Sequence, residues 1–339
     1  FREVFVYVGP ELGQYVWIDD NEDRIQQVIE FYPELSPNEG SYIRRLLPGS
    51  NYEPMVQLRT SFDYEWEPFV RIKNMRPLLG ALQVQLNVLL RDENNSNSLK
   101  NILALDKSTL FKQGLSVNGG KDVRYHLRFM PNLTGFEGGV EWIKMQTNHE
   151  RNIEYLIHAQ QSLQSSMSYR WNSQLKSQMV MINTHSLEYS DKLVDKNYAW
   201  SMRQFQPSLD YRYSRSWNIE ISGFIKTLDS DSDYASEYLG PDKTSEGFSD
   251  FSLDQWQLSM NHKFFIPNGI QANLQVAIQE VISNDLLSPY TEYRLTDGMG
   301  FGRTAKWQIN STYRWNDWLE LQFDYYGRTS HIGSGIHTL

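Results

Sequence analysis

The feature that most constrains the fold is a set of tight turns with aromatic residues at their ends. Four turns of this kind join segments in which apolar and polar residues alternate: Trp171-Asn172-Ser173-Gln174-Leu175, Tyr213-Ser214-Arg215-Ser216-Trp217, Phe264 to Ile270, and Trp315-Asn316-Asp317-Trp318. A hairpin tip in water has no reason to collect Trp and Tyr. A membrane-spanning β-barrel, by contrast, places such rings where the hydrocarbon ends and the headgroups begin.

The segments between these turns have the period of two that is typical of β-strands. Leu58, Phe62 and Trp66 fall on one face of such a segment, and Arg59 and Asp63 fall on the other. In a barrel the polar face lines the lumen, whereas in a sandwich it faces solvent. The pattern predicts an all-β fold, an antiparallel transmembrane β-barrel of about 12–16 strands with a small N-terminal segment. The last strand is expected to be incomplete.

Composition agrees with this prediction and excludes other classes. The mean hydropathy is -0.56, and no segment approaches the ~18 apolar residues of a spanning helix, but each barrel strand hides only alternate residues in lipid. The net charge of -9 argues against nucleic-acid binding, which needs an excess of Lys and Arg. The chain contains no cysteine, which excludes disulfides and thiolate metal sites.

The connections alternate between the short aromatic turns and long links at 147–159, 188–196, 228–250 and 281–301. Short periplasmic turns and long external loops are typical of outer-membrane barrels. The 228–250 link is acidic, and we expect a solvated loop, with cation or lipopolysaccharide bridging as the alternative.

Two regions differ in character. Residues 1–50 contain short apolar runs, an acidic patch and Pro and Gly punctuation, which predicts a small periplasmic or plug-like segment. Residues 51–339 form the predicted barrel.

One motif in the first region has the spacing of a calcium loop. With Asp19 as position 1, oxygen donors fall at Asn21, Asp23, Gln27 and Glu30, and the Ile25 carbonyl occupies position 7. The predicted metal ligands are therefore Asp19, Asn21, Asp23, Ile25, Gln27 and Glu30, with calcium as the cofactor. Arg24 stands where the sharp turn prefers Gly. The alternative is an acidic turn that caps a short helix.

Catalysis has no positive support in the sequence. The seven histidines are scattered, and none stands in a recognisable pairing with a nucleophile or a carboxylate dyad. His126 and His262 lie in strand patterns, where packing in the lumen or the aromatic girdle is expected. We expect no enzymatic activity and no catalytic residues; an outer-membrane hydrolase would depend on a lumenal His or Asp.

Residues 7–45 resemble a known kind of sequence. Gly13-x-Tyr15-x-Trp17, the Asp-x-Asn-x-Asp stretch with Gln26-Gln27, and Pro37 to Tyr42 together are similar to the linker before the C-terminal barrel of large, poorly characterised outer-membrane surface proteins of Bacteroidota-like bacteria. The chain departs from that pattern at Arg24 and in lacking an aromatic terminal strand. The resemblance implies location and architecture, and it brings no activity with it.

These observations predict a barrel in the outer membrane of a Gram-negative bacterium. It would serve as the membrane anchor or pore component of a larger cell-envelope protein or assembly. Its expected partners are outer-membrane lipid and other envelope proteins, with no nucleic acid. The alternative is a soluble or surface-exposed antiparallel β-protein that binds polysaccharide or a protein partner.

Overall fold

The chain forms two antiparallel sheets, a small one near the N-terminus and a large one after it. The structure is a computed structural model that describes residues 2–20, 23–35, 38–47, 55–67, 82–95, 115–129, 135–151, 154–192, 197–214, 216–239, 248, 250–266, 269–283, 285, 287, 289–298, 300–316, 319–329 and 336–338. Parts of the predicted turns at 215, 267–268 and 317–318 lie outside these ranges.

The small sheet has the strand order β1-β4-β2-β3. Its strands are β1 (Arg2–Tyr7), β2 (Tyr15–Trp17), β3 (Phe31–Pro33) and β4 (Tyr42–Leu47), and a 3-10 helix, Val28–Glu30, precedes β3. Aromatic rings hold the sheet together, because Phe5 stacks on Phe31 at 4.3 Å and Tyr15 and Tyr42 meet these rings edge-on. The first region thus has an aromatic cluster of its own.

Among the described residues the large sheet contains 13 strands, and their spatial order is the order of the sequence, β5 to β17. The strands are β5 (Val56–Trp66), β6 (Leu82–Asn94), β7 (Ser116–Phe129), β8 (Phe136–Arg151), β9 (Glu154–Arg170), β10 (Leu175–Ser190), β11 (Tyr198–Ser214), β12 (Trp217–Ser230), β13 (Ser252–Ile266), β14 (Ile270–Ser283), β15 (Gly302–Asn316), β16 (Leu319–Thr329) and β17 (Ile336–Thr338). Each is antiparallel to the next. The predicted all-β antiparallel fold and strand number are confirmed.

The large sheet has one apolar face whose side chains are exposed. We call this the apolar face; its exposed members include Phe62, Tyr64, Tyr125, Leu127, Leu163, Met167, Met179, Met181, Leu209, Tyr211, Ile221, Ile225, Leu258, Met260, Ile278, Leu321 and Phe323. Ile225 is 64% exposed although it lies in the interior of β12. These side chains therefore do not pack against a second layer within the described part of the chain.

The opposite face of the large sheet, the polar face, carries amides, hydroxyls and charges that meet across the strands. Asn261 pairs with Gln275, and Gln275 pairs in turn with Gln308. On the next rows Asn310 Nδ2 donates to Asp324 Oδ1 at 2.6 Å, and Ser222 and Ser259 share a hydrogen bond of 2.8 Å. The two faces have the alternation that the sequence predicted.

Two short helices lie in those parts of the long links that the structure describes. Helix α1 (Ser232–Leu239) lies in the acidic link, and α2 (Pro289–Leu295) lies between β14 and β15. None of the helices among the described residues is long and apolar enough to cross a membrane.

Helix α1 packs onto the large sheet beyond the exposed part of the apolar face. Tyr234 and Ala235 are buried there against Ala159, Leu187 and Ala199, which are neighbours across β9, β10 and β11. Two polar contacts flank the helix: Lys144 to Glu237 at 3.2 Å and His185 to Asp231 at 2.6 Å. Part of the acidic link is thus a docked helix, and the predicted solvated loop is wrong for residues 232–239.

Replacing Ala235 by Glu tests this docking. Ala235 is 0% exposed, so the change buries a carboxylate without a partner, at a cost of several kcal/mol that release of the helix would avoid. We expect faster protease cleavage between residues 231 and 250. Ser232→Glu, at the exposed start of α1, is the control and should leave the cleavage rate unchanged; equal rates in both variants would contradict the docked helix.

Candidate functional site

The polar face of the large sheet is concave. A pocket of about 700 Å³ is lined by side chains from five consecutive strands, β11 to β15, among them Arg212, Asn218, Lys263, Asn273 and Asn310. Side chains from five neighbouring strands can enclose one pocket only if the sheet curves around it. The polar face carries amides and, beyond this pocket, charges of both signs, as the wall of a water-filled lumen does.

The small sheet lies against this concave face, at the end where the long links are. Tyr32 of β3 is buried in a cluster with Leu228, Leu253 and Val281 from the polar face and with Leu295 from α2. Val16 and Ile18 of the small sheet pack against the same cluster. The polar face is therefore apolar locally, and the small sheet and α2 cover that patch.

A set of polar contacts joins the two sheets next to this cluster. The Tyr293 hydroxyl of α2 donates to Glu39 Oε2 at 3.0 Å and accepts from the Leu35 N–H at 2.9 Å. Arg328 of β16 forms an ion pair with Glu39 at 3.7 Å. Burial raises the pKa of Tyr293 well above its ordinary value, and the charge of Glu39 adds to the shift. The hydroxyl thus stays protonated and can donate.

A cavity remains between the small sheet and the polar face of the large sheet. This cavity, about 450 Å³, is lined on one side by Glu11, Leu12 and Asn38 and on the other by Gln308 and Asp324. Its walls combine polar and apolar groups, and it has room for water beside Asn38, Gln308 and Asp324.

The structure brings together three of the six predicted metal ligands. One carboxylate oxygen from each of Asp19, Asp23 and Glu30 lies within 4.8 Å of the other two. Ile25 is exposed, and its N–H donates to Asp23 Oδ1 at 2.6 Å. Gln27 Nε2 donates to Asp23 Oδ2 at 2.8 Å. Asn21 lies outside the described residues.

Arg24 adopts the backbone conformation that this position of a calcium loop requires. Its φ of 60° is in the left-handed region, which Gly reaches at least cost. Its N–H donates to Asp19 Oδ2 at 2.8 Å, and its side chain is exposed. The substitution of Arg for Gly therefore leaves the turn of the loop intact. The loop is followed by the 3-10 helix and β3, so it joins two strands.

The histidines in the strand patterns occupy packing positions. The ring of His262 lies 5.4 Å from that of Trp217 and 6.2 Å from that of Phe264, on the apolar face near a short turn. His126 lines a small polar pocket with Arg128 and Glu137 on the other face.

The residues that join the two sheets were not predictable from the sequence. Glu39, Tyr293 and Arg328 are far apart in the chain, and each alone reads as an ordinary polar residue. One sequence signal lies nearby: Leu228, Leu253 and Val281 break the alternation of the polar face at its long-link end.

Comparisons with known proteins give only distant similarities. No family model and no curated protein matches the chain. The open form of the ferric-catecholate import receptor Fiu from E. coli K12 is similar in structure at a TM-score of 0.45 and 9% identity, over 87% of this chain and 57% of that one.

Two further solved structures are similar at 9% identity. The outer membrane channel DcaP of Acinetobacter baumannii has a TM-score of 0.35, and the similarity covers 75% of this chain and 78% of DcaP. CdiB from Acinetobacter baumannii has a TM-score of 0.39, and the similarity covers 88% of this chain and 54% of CdiB. The chain spans little more than half the length of Fiu and CdiB. At these TM-scores the similarities carry no functional argument.

Replacing Tyr293 by Phe tests the contact between the sheets. The change leaves the Leu35 N–H and a Glu39 oxygen without this partner, which costs about 1–3 kcal/mol in a buried setting. We expect faster hydrogen exchange of the small-sheet amides, β3 and β4 above all, measured by mass spectrometry on the protein in detergent.

Tyr238→Phe is the matched control, because it removes a hydroxyl that contacts Tyr234 on α1 and lies away from the small sheet. Unchanged exchange in the Tyr293 variant would mean that the small sheet is held without this hydroxyl.

Proposed function

We propose that the chain is a β-barrel of the outer membrane of a Gram-negative bacterium. It acts as the membrane anchor or pore component of a larger cell-envelope protein or assembly. The observation that carries the proposal is the apolar face, whose exposed band ends in aromatic rings on one side and in polar residues on the other.

The width of this band supports a membrane crossing. On β11 the apolar-face residues from Phe205 to Tyr213 are all apolar, and Arg203 follows on the same face. On β12 they are apolar or glycine from Trp217 to Ile225, and polar residues begin at Thr227. Bands of this length match the ~9–11 residues that a tilted strand needs to cross the hydrocarbon core.

The edge of the band at the short turns is aromatic. We call this edge the aromatic row; it comprises Trp66, Phe129, Phe136, Tyr169, Trp171, Tyr213, Trp217, Phe264 and Tyr313. Rings within it touch, as at Tyr169 and Trp171 with 4.9 Å between centroids. Amphipathic rings at one level favour a headgroup boundary. A soluble protein rarely exposes an apolar patch of more than a few hundred Å².

The concave polar face supports a lumen, and the small sheet within it supports a plug-like role for residues 1–50. A barrel filled at one end serves as an anchor, or it conducts only when the small sheet moves or leaves a path beside it. Outer-membrane lipid is the proposed partner of the apolar face, together with other envelope proteins. We propose no catalytic role for the polar face.

Detergent dependence tests the membrane assignment. The purified chain should be monodisperse in detergent, aggregate when the detergent is removed, and insert into phospholipid vesicles with its strands protected from protease. A chain that stays monodisperse in plain buffer and ignores vesicles would be the soluble alternative. Single-channel recording in planar bilayers then separates a pore from an anchor.

Two neighbouring residues of β10 give a matched test of the faces. Met179→Arg places a charge on the apolar face, and Gln178→Arg places the same charge on the polar face. Each of the two residues is exposed on its own face. In a bilayer the first change should cost about 2–4 kcal/mol of folding free energy and the second close to none. The measurement is reversible unfolding by urea in vesicles. Equal costs would contradict a lipid-facing apolar face.

A further inference from the structure

We propose that the loop between β2 and β3 binds one calcium ion, with Asp19, Asp23 and Glu30 as its carboxylate ligands. The site is independent of the membrane role, because it lies within the small sheet. Calcium is a hard cation that prefers carboxylate and carbonyl oxygens from one short loop.

The burial of Glu30 points to a ligand in this loop. Its side chain is 0% exposed. Trp17 Nε1 and the Gln27 N–H both donate to Oε2, at 2.9 and 3.0 Å, and they fix the carboxylate in place. Its other oxygen, Oε1, accepts no hydrogen bond from the described part of the chain. A fully buried carboxylate oxygen without a partner is costly unless a cation or donor meets it.

A second carboxylate oxygen, that of Asp19, is also buried without a hydrogen-bond donor among the described residues. Asp19 Oδ2 accepts the Arg24 N–H, whereas Asp19 Oδ1 is buried and accepts no hydrogen bond from described residues. One oxygen from each of the three carboxylates lies within 4.8 Å of the others, and they repel one another, most strongly at the buried Glu30 and least at the exposed Asp23. A divalent cation among them converts this repulsion into attraction and occupies both oxygens.

The chemistry of the donor set favours calcium over magnesium. Magnesium demands a small, nearly ideal octahedron and gives up its water reluctantly, whereas calcium accepts irregular sets of six to eight oxygens. Three carboxylates leave several positions for backbone carbonyls and water. The charge of Arg24 weakens the site, and we expect an affinity in the range of about 10⁻⁴–10⁻³ M that is typical of extracellular calcium modules.

The position of the loop gives the ion a structural role. Tyr32 hydrogen-bonds to Asp20, the neighbour of Asp19, and its ring belongs to the cluster that joins the two sheets. Calcium bound at Asp19 thus orders the segment from which the small sheet contacts the large one.

The test uses the full chain in detergent and terbium as a luminescent substitute for calcium. Trp17 donates directly to Glu30, so its excited indole lies close enough to sensitise a bound terbium ion. We expect saturable terbium emission on excitation of tryptophan, displaced by calcium chloride and displaced at least tenfold less well by magnesium chloride. Isothermal titration calorimetry with calcium alone gives the affinity directly.

Four variants make the test specific. Glu30→Gln and Asp19→Asn keep the shape of the side chains and should each weaken calcium binding about tenfold or more. Arg24→Gly relaxes a left-handed residue and removes a positive charge, so it should tighten binding several-fold. Asp233→Asn, in the exposed first turn of α1, is the matched control and should change nothing.

Circular dichroism in detergent confirms that each variant has the same strand content. The proposal is overturned if the unaltered chain shows no saturable response to calcium. It is also overturned if Glu30→Gln and Asp19→Asn bind as tightly as the unaltered chain. The Arg24→Gly variant keeps all three carboxylates, so it remains informative if the loop tolerates neither of the other changes.

Discussion

The large sheet depends on one constraint: every interior strand forms its backbone hydrogen bonds with its two neighbouring strands. The side chains alone therefore determine whether each face is suited to water, lipid or protein. In an antiparallel ladder a shift of one residue moves a whole strand's side chains to the opposite face. The ladder avoids this, because its register shifts occur at strand ends, between Arg212 and Ser214, Arg314 and Asn316, and Glu93 and Asn94. Within the described strands the register is therefore constant between the strand ends, and each side chain keeps its face.

At the long-link end of the polar face lies a buried apolar patch, and the small sheet covers it. Leu228, Leu253 and Val281 are almost fully buried although they are on the concave side. An apolar patch in a hydrated concavity is unfavourable unless something covers it, and Tyr32 and α2 do so. Tyr293, Glu39 and Arg328 then fix the orientation, because buried polar contacts are directional whereas apolar burial is not. Side chains of the large sheet thus determine where the small sheet packs.

The sequence predicts local patterns well and long-range contacts poorly. Strands such as β11 and β12 were predictable because each residue's face follows from a period of two. The aromatic turns were predictable because Trp171 and Trp217 stand beside turn residues. Helix α1 was missed because Tyr234 and Ala235 are surrounded by acids, and its docking depends on three other strands. The contact of Tyr293 with Glu39 spans most of the chain. The left-handed backbone of Arg24 was not predictable either, since that conformation is costly for any residue but Gly.

The strain at Arg24 and the burial of Glu30 have a common energetic consequence. Each raises the free energy of the β2–β3 loop, whereas the Trp17 and Gln27 hydrogen bonds to Glu30 and the rings of Phe5 and Phe31 lower the free energy of the same region. A ligand that binds only the folded loop adds stability in proportion to the logarithm of its concentration over Kd. Because Tyr32 links this loop to the cluster between the sheets, that added stability reaches the contact with the barrel wall. If calcium binds as proposed, its concentration sets how firmly the small sheet occupies the concave face, without any change in the large sheet itself.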